Sequence, residues 1–424
     1  MRADICWRIG AGVAAALGWL LTVGPVVGAE VQLTLQECRA RAVAASPVLA
    51  AAVADSAAAA GAARQAGAVP NPELTFEVEN FGGDLPRWGE AEVTWSLAQN
   101  LGFLTRRGAA AEAGRRGRAA AAAGVAAARR DLLIEVERRF VALLVAQRRV
   151  ELLEGEVAVA DSLTAAVAAL VEAGEVSPVE LARARGERAL AAIDRDAAIA
   201  GTRRAGTALA ELWGGAHGDS ARAAGRLATG VVAPARAEVV DWPAVGPELA
   251  RQEAVVARQA ALARLARAGR WPDPTAAGGV RRFAASGERA LVASVALPLP
   301  LFDRGGGAVA EAGAREAQAR HELRALGDRV RAARLVAWDD LDAAIGAERA
   351  LRETVVPEAA RVRAALDEGY RRGKFGLLDV LDARRMLAAA RLRQLEALAA
   401  LHAARLELES RLGAPLAASG GETP

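Results

Sequence analysis

The sequence predicts a mixed α/β fold built from two tandem structural repeats, each carrying long helices and one β-hairpin with the pattern of membrane-spanning strands. Three observations predict it. Residues 47–214 recur as residues 247–413 at a constant shift of about 200, far beyond a solenoid unit of about 20–50 residues, so the chain reads as two pseudo-equivalent halves of one body. Each half holds a very long stretch of helix formers. Each also holds a pair of short segments whose apolar residues alternate with polar ones.

Composition agrees with packed helices rather than a large globular core. Of 424 residues only 4% are aromatic, and Ala, Leu, Arg and Glu dominate. The 54 basic and 51 acidic groups nearly cancel, to a net charge of +3, so no basic surface argues for nucleic acid.

In chain order, residues 1–29 read as a signal peptide. Arg2 and Arg8 precede an apolar run from Ile9 to Val27, and Val27-Gly28-Ala29 offers the small residues of a cleavage site, so the mature chain starts at Glu30. Gly12, Gly18, Gly24 and Pro25 break the run, which disfavours a permanent anchor. Cys6 falls in the leader and leaves Cys38 alone in the mature chain, so no internal disulfide is expected and Cys38 is assigned as a small apolar core residue. Thr34-Leu35-Gln36-Glu37 is a helix capping box.

The first repeat spans 30–213, with its hairpin at 71–101. In the first strand Leu74, Phe76 and Val78 take one face against Thr75, Glu77 and Glu79. In the second, Val93, Trp95 and Leu97 oppose Glu92, Thr94 and Ser96. The turn between them, Phe81 to Gly89, is loop chemistry. Arg107 to Glu172 contains no proline and predicts a helical rod of roughly 100 Å. Gly174 suits the left-handed position that ends it. Ser177 then caps a new helix, with Pro178 at its first position and Glu180 completing a capping box, so the first tip lies near 174–178.

Residues 214–246, rich in Gly, Ala and Pro, read as an interdomain linker. The second repeat spans 247–413, with its hairpin at 274–300: Gly278–Phe283 is a weak strand and Leu291–Leu297 a better one. A second rod runs from Gly307 to Arg372, with Pro357 as its one expected kink, and ends at Gly373; the second tip lies near 373–377. Residues 414–424 form a flexible tail.

Beyond the leader no stretch of 18 apolar residues exists, so no transmembrane helix is expected. The four strands have the length and alternation of a membrane barrel, yet four cannot close one, and an open sheet leaves two edges unpaired in hydrocarbon. Either the sheet is soluble with one wet face, or several chains pool their strands. No enzyme is expected. Gly305-Gly306-Gly307 lacks the following Lys-Ser/Thr of a phosphate loop. His217, His321 and His402 are scattered, which predicts no metal site and no cofactor.

At this point the residues carry a resemblance covering essentially the whole mature chain. Asn71-Pro72-Glu73-Leu74 with Glu77-Val78-Glu79-Asn80-Phe81-Gly82-Gly83 resembles the first hairpin of the TolC-type outer membrane efflux protein family, in its heavy-metal (CzcC/CusC-like) branch. Leu297-Pro298-Leu299-Pro300-Leu301-Phe302-Asp303-Arg304 resembles the end of that branch's fourth strand. Gly369-Tyr370-Arg371-Arg372-Gly373-Lys374-Phe375, with Leu377-Leu378-Asp379-Val380-Leu381-Asp382-Ala383-Arg384, resembles its second helical tip.

The resemblance implies a homotrimer in the outer membrane of a Gram-negative bacterium, with most of its mass in the periplasm. Each chain would give four strands to a shared 12-stranded barrel with Leu74, Phe76, Val78, Val93, Trp95 and Leu97 facing lipid, continued by a periplasmic α-helical barrel. Residues 214–246 become an irregular equatorial belt. The implied function is passive export of heavy-metal cations, received from an inner-membrane RND pump through a periplasmic adaptor (membrane fusion protein). The resemblance assigns Asp379 and Asp382 to a periplasmic gate, with Tyr370 bonding to Glu180. It assigns Gly174, Ser177, Pro178, Gly373, Lys374, Phe375 and Gly376 to adaptor contact. Two departures stand out: Phe375 replaces a basic latch residue, and Gly376 a small hydroxyl. The rival readings are a channel of the same type exporting organic compounds or a secreted protein, and a periplasmic coiled-coil structural or adaptor protein. Phe76, Phe81 and Trp95, on or at the end of apolar strand faces, disfavour the last.

Overall fold

The computed structural model describes residues 32–84, 88–215, 222–243 and 245–416. The leader assigned to 1–29, His217 and most of the tail lie outside the described residues.

The chain runs β1 (Gln32–Leu33), α1 (Leu35–Ala45), α2 (Pro47–Ala66), β2 (Glu73–Glu79), β3 (Glu92–Asn100), α3 (Phe103–Glu172) and α4 (Pro178–Glu211). It continues β4 (Arg222–Ala223), α5 (Arg236–Asp241), α6 (Pro247–Ala268), β5 (Thr275–Phe283), β6 (Arg289–Ala296), α7 (Gly306–Ala350), α8 (Val356–Arg371) and α9 (Leu377–Leu412). Local chemistry sets most boundaries. The Thr34 capping box forms both ways: the Glu37 N–H donates to Thr34 Oγ1 at 3.3 Å, and the Thr34 N–H to Glu37 Oε2 at 2.8 Å. Pro47 and Pro247 open α2 and α6, where a missing N–H costs nothing. Free of proline, α3 continues for 70 residues, about 105 Å at the usual rise.

Near Pro357, the expected kink of the second rod, the helix changes its pitch. A single π-helical turn, Leu351–Val355, joins α7 to α8 just ahead of the proline. Proline cannot donate to the carbonyl one turn back and its ring crowds that carbonyl, so a wider turn absorbs the misfit while the backbone stays helical.

Strands β2, β3, β5 and β6 form one antiparallel sheet in that order. Phe76 pairs with Trp95, Trp95 with Val280, and Val280 with Leu291, so one row crosses all four strands on the same face. Strand β5 starts at Thr275, three residues before the weak strand expected from Gly278. The β3 ladder runs on to the pair Asn100 and Thr275, and partnering overrides the poor strand propensity of Ala276 and Ala277. Gly279 lets the two backbones meet: a Cβ there would collide with the Trp95 carbonyl and with Ser96.

The helical core lies between the tips and the sheet. Cys38, Val136, Phe140, Leu143 and Leu209 form one cluster, and Val239, Leu341, Leu401, Leu408 and Leu412 another. Burial pushes the Cys38 thiol up to about 11, so it packs as an inert small hydrophobe. Buried Glu137 on α3 accepts from Arg39 of α1 and, at 3.0 Å, from Arg405 of α9, joining the two halves of the chain. His402 is buried too, its Nε2 3.1 Å from the Ala228 carbonyl, and burial lowers its pKa.

The segment assigned as a linker is more ordered than that reading allowed. Strand β4 pairs in parallel with β1, and α5 sends Val239 into the second cluster. Arg334 of α7, 1% exposed, donates to the carbonyls of Arg411 at 3.0 Å, Trp242 at 2.7 Å and Pro243 at 2.9 Å, clasping the segment to the end of α9.

Candidate functional site at the helical tips

Both tips turn by the same device. At the first, Gly174 has φ +77° and the Glu175 N–H donates to the Leu170 carbonyl at 2.9 Å. At the second, Gly373 has φ +71° and the Lys374 N–H donates to the Gly369 carbonyl at 2.8 Å. A left-handed residue with a six-residue bond is a Schellman ending, and glycine adopts it without a Cβ clash.

The helix starts differ from expectation. Ser177 caps α4 by accepting the Val179 N–H at 3.2 Å, with Pro178 at the first position. The reciprocal arm from Glu180 is not made among the described residues. Its Oε1 accepts instead from Arg183, 3.1 Å away, because a guanidinium one turn on is a stronger donor than a neutral amide. At the second tip Gly376 has no side chain to cap with, yet the other arm forms: its N–H donates to Asp379 Oδ2 at 2.9 Å. Asp379 thus serves the start of α9, where a carboxylate also suits the helix dipole.

Beyond Asp379, one face of α9 buries Leu377, Val380 and Leu381, leaving Asp379 and Asp382 exposed on the other. Asp382 pairs with Arg385 at 3.3 Å, and Arg385 also binds Glu187 of α4. Arg384 reaches Asp367 of α8 at 3.3 Å. The tips therefore lie side by side. Leu163, Val167, Leu377 and Leu381 form their shared core, against which Val176, Leu181 and Tyr370 pack.

Among the described residues no hydrogen bond joins Tyr370 to Glu180. Glu180 Oε2, however, is buried without a partner. Phe375 stands where the resemblance expects a latch cation and lies folded over Gly369, so closely that any Cβ on that glycine would strike its ring. The exposed tip surface comprises Gly174, Ser177, Pro178, Gly373, Lys374, Phe375 and Gly376. Sequence reasoning missed Arg384, Arg385 and Glu187. Charged residues on a charge-rich helix carry no distinguishing signal until a partner helix is placed beside them.

At the opposite end, the sheet brings Leu74, Phe76, Val78, Val93, Trp95 and Leu97 onto one face, extended by Val280, Leu291 and Val295. Leu74, Phe76, Trp95 and Leu97 are exposed large hydrophobics, and the Phe76 and Trp95 ring centroids lie 4.5 Å apart. The other face carries Glu77, Glu92, Thr94, Ser96 and Arg281. No single described helix is long and apolar enough to cross a membrane. No group of His, Cys, Asp or Glu among the described residues is arranged to hold a metal ion.

Comparison with known proteins accounts for a chain with a helical bundle at one end and a sheet with an apolar outer face at the other. The profile of the outer membrane efflux protein family matches residues 39–215 and 244–414. The chain belongs to the outer membrane efflux protein family. Its relatives include the cobalt-zinc-cadmium resistance protein CzcC of Cupriavidus metallidurans, 33% identical over 383 residues and 90% of each chain. The solved structure of CusC superposes with a TM-score of 0.76 at 19% identity, covering 91% of this chain and 93% of that one. The outer membrane protein VceC of Vibrio cholerae gives 0.72 at 20% identity, covering 90% and 96%. These likenesses show the TolC-type channel fold. Family members are efflux channels, transporters rather than enzymes.

Proposed function

We propose that this efflux protein is the outer membrane channel of a tripartite pump for heavy-metal cations, working as a homotrimer. The observation that carries the channel reading is the four-stranded sheet, which has an apolar outer face and open edges at β2 and β6. In hydrocarbon such edges must pair, and β6 of one copy meeting β2 of the next turns three open sheets into one closed 12-stranded barrel. The helices of the three copies continue it as a periplasmic barrel. The two chain segments, each running helix, hairpin, long helix, turn and helix, act as pseudo-equivalent repeats around it. The metal cargo is supported by the identity shared with a cobalt-zinc-cadmium resistance protein. The absence of a metal cluster among the described residues is compatible with it, because conduction needs release as well as entry.

At the tips, three copies of Asp379 and Asp382 ring the periplasmic aperture and favour cations there. The unpartnered Glu180 Oε2 supplies an acceptor for the Tyr370 hydroxyl when the aperture is shut. A periplasmic adaptor, joined to an RND-type pump, docks on the exposed tip residues Gly174, Ser177, Pro178, Gly373, Lys374, Phe375 and Gly376.

In a strain lacking the gene, growth across zinc, cobalt, cadmium, nickel, copper and silver, alongside organic toxicants, tests the cargo. Selective metal sensitivity restored by the intact gene is expected; sensitivity to organic compounds alone would overturn the metal assignment. In planar bilayers, Asp379→Ala combined with Asp382→Ala is expected to reduce the cation-to-anion permeability ratio several-fold, since it removes six carboxylates from a trimer. Unchanged selectivity removes both residues from the gate. Tyr370→Phe is expected to raise the fraction of time the pore is open, and wild-type gating would point to a different latch.

A further inference from the structure

The sheet carries a charge arrangement that neither pore nor fold explains. Three arginines lie near the turn joining β5 to β6, at the end of the sheet away from the helices. Arg281 points to the polar face and is satisfied: it donates to Glu92 at 2.8 Å and to Thr94 at 3.0 Å, and pairs with Glu79 at 2.9 Å. Arg282 and Arg289 point the other way. They are directly opposite each other in the β5–β6 ladder, and both are exposed. Neither has an acidic partner among the described residues.

Like charges in directly opposed positions destabilise a sheet pair. The register explains why the chain does not relieve this pair itself. The acids of this level, Glu79 and Glu92, belong to the opposite face, and Arg282 has Val93 as its neighbour on β3. The open β2 edge of an adjoining copy would place Val78 on this face, with Glu77 and Glu79 on the other. The nearest acid along the chain, Glu288, accepts from the Ser286 hydroxyl at 3.2 Å within the turn.

Directly below the two arginines, on the same face, Val280 and Leu291 begin the apolar band, and Leu291 is 88% exposed. A pair of cations with no protein counter-ion, set on the edge of a lipid-facing hydrophobic strip, is complementary to an amphiphile with an anionic head and acyl tails. Phe81 and Trp88, stacked at 5.4 Å in the neighbouring hairpin turn, suit the same headgroup depth.

We propose that Arg282 and Arg289 form a binding site for the phosphorylated headgroup of an outer-leaflet lipid, whose acyl chains lie along Val280 and Leu291. Guanidinium groups bind phosphate oxygens by paired N–H bonds, and one headgroup neutralises both arginines and removes their repulsion. The inference rests on the membrane reading of the sheet.

The test uses the purified full-length protein in detergent, titrated with bisphosphorylated lipid A and followed by native mass spectrometry. Pore formation by the same samples in planar bilayers checks the membrane reading separately. Wild type is expected to bind lipid A. Arg282→Gln with Arg289→Gln is expected to weaken binding by about tenfold or more while still forming pores, since both phosphate-binding guanidinium groups are lost. Dephosphorylated lipid A should bind wild type as weakly as lipid A binds the variant. Where the double variant fails to assemble, each single variant is titrated alone, and a loss in both supports the site. Equal lipid A affinity in wild type and variants overturns the proposal. Displacement by millimolar inorganic phosphate would also overturn it, by showing a site for the free ion. A wild type that forms no pores would instead sink the membrane reading.

Discussion

Arg334→Leu is expected to lower the thermal midpoint of the purified protein by on the order of 10 °C and to expose the chain around residues 241–246 to protease. Arg334 is 1% exposed and, among the described residues, has no carboxylate partner; its fork is spent on three backbone carbonyls. One of them, Arg411, lies in the last turn of α9, whose carbonyls have no donor within the helix. The others, Trp242 and Pro243, follow the end of α5. A leucine of similar length fills much of the space and removes a buried charge, which by itself can be neutral. The three carbonyls, however, lose their donor, at up to about 1–3 kcal/mol each. The expected net cost is about 3–5 kcal/mol, typical of broken buried networks. Arg334→Lys should fall between, because one ammonium cannot span three acceptors in a planar fork. An unchanged midpoint in Arg334→Leu would show that hydrophobic packing around Val239 and Leu412 holds this segment alone.

Phe76→Arg is expected to abolish most outer membrane assembly. Phe76 is the central residue of β2, 55% exposed, and packs at a tilt against the ring of Trp95, itself 53% exposed. An arginine on the lipid face of a barrel costs about 2–4 kcal/mol near the bilayer midplane, and a trimer would carry three. Thr75→Arg, one residue away on the opposite face, is the control and should assemble nearly as wild type. Yield is read from the outer membrane fraction and trimer content from unboiled gels. Normal yield of the Phe76 variant would place this face in water and reopen the reading of the sheet as soluble.

The two variants probe features of unequal legibility. The face bearing Phe76 could be read from the sequence, because strand side chains alternate with a period of two and the apolar positions of β2 and β3 keep that period. The long rods were equally plain, since proline's absence and helix propensity act locally and add over many residues. So were the glycines at the two tips. The Arg334 clasp was not legible. One arginine in a helix holding many looks like its neighbours until packing decides which is buried.

Where expectation and structure part, long-range geometry outweighs local preference. At Pro357, read as a kink, the helix widens into a single π turn just ahead of the proline. Strand β5 began at Thr275 because β3 offered it a partner. Glu180 left its own helix cap for Arg183. The assigned linker gained a strand only because β1 lies beside it.

The sequence alone therefore determined the order of the principal elements, the length of the rods and the apolar faces of β2 and β3, set by local propensity and periodicity within a few residues, while its motifs carried the family resemblance. Only the tertiary structure decided the register that sets Arg282 against Arg289 with no acid on their face, the burial of Arg334, and the partners of Asp379, Asp382 and Glu180. Those depend on which side chains come together from residues tens or hundreds of positions apart. Pairing energies of that kind have no signature in a single segment, since a charge's role is set by what stands opposite it.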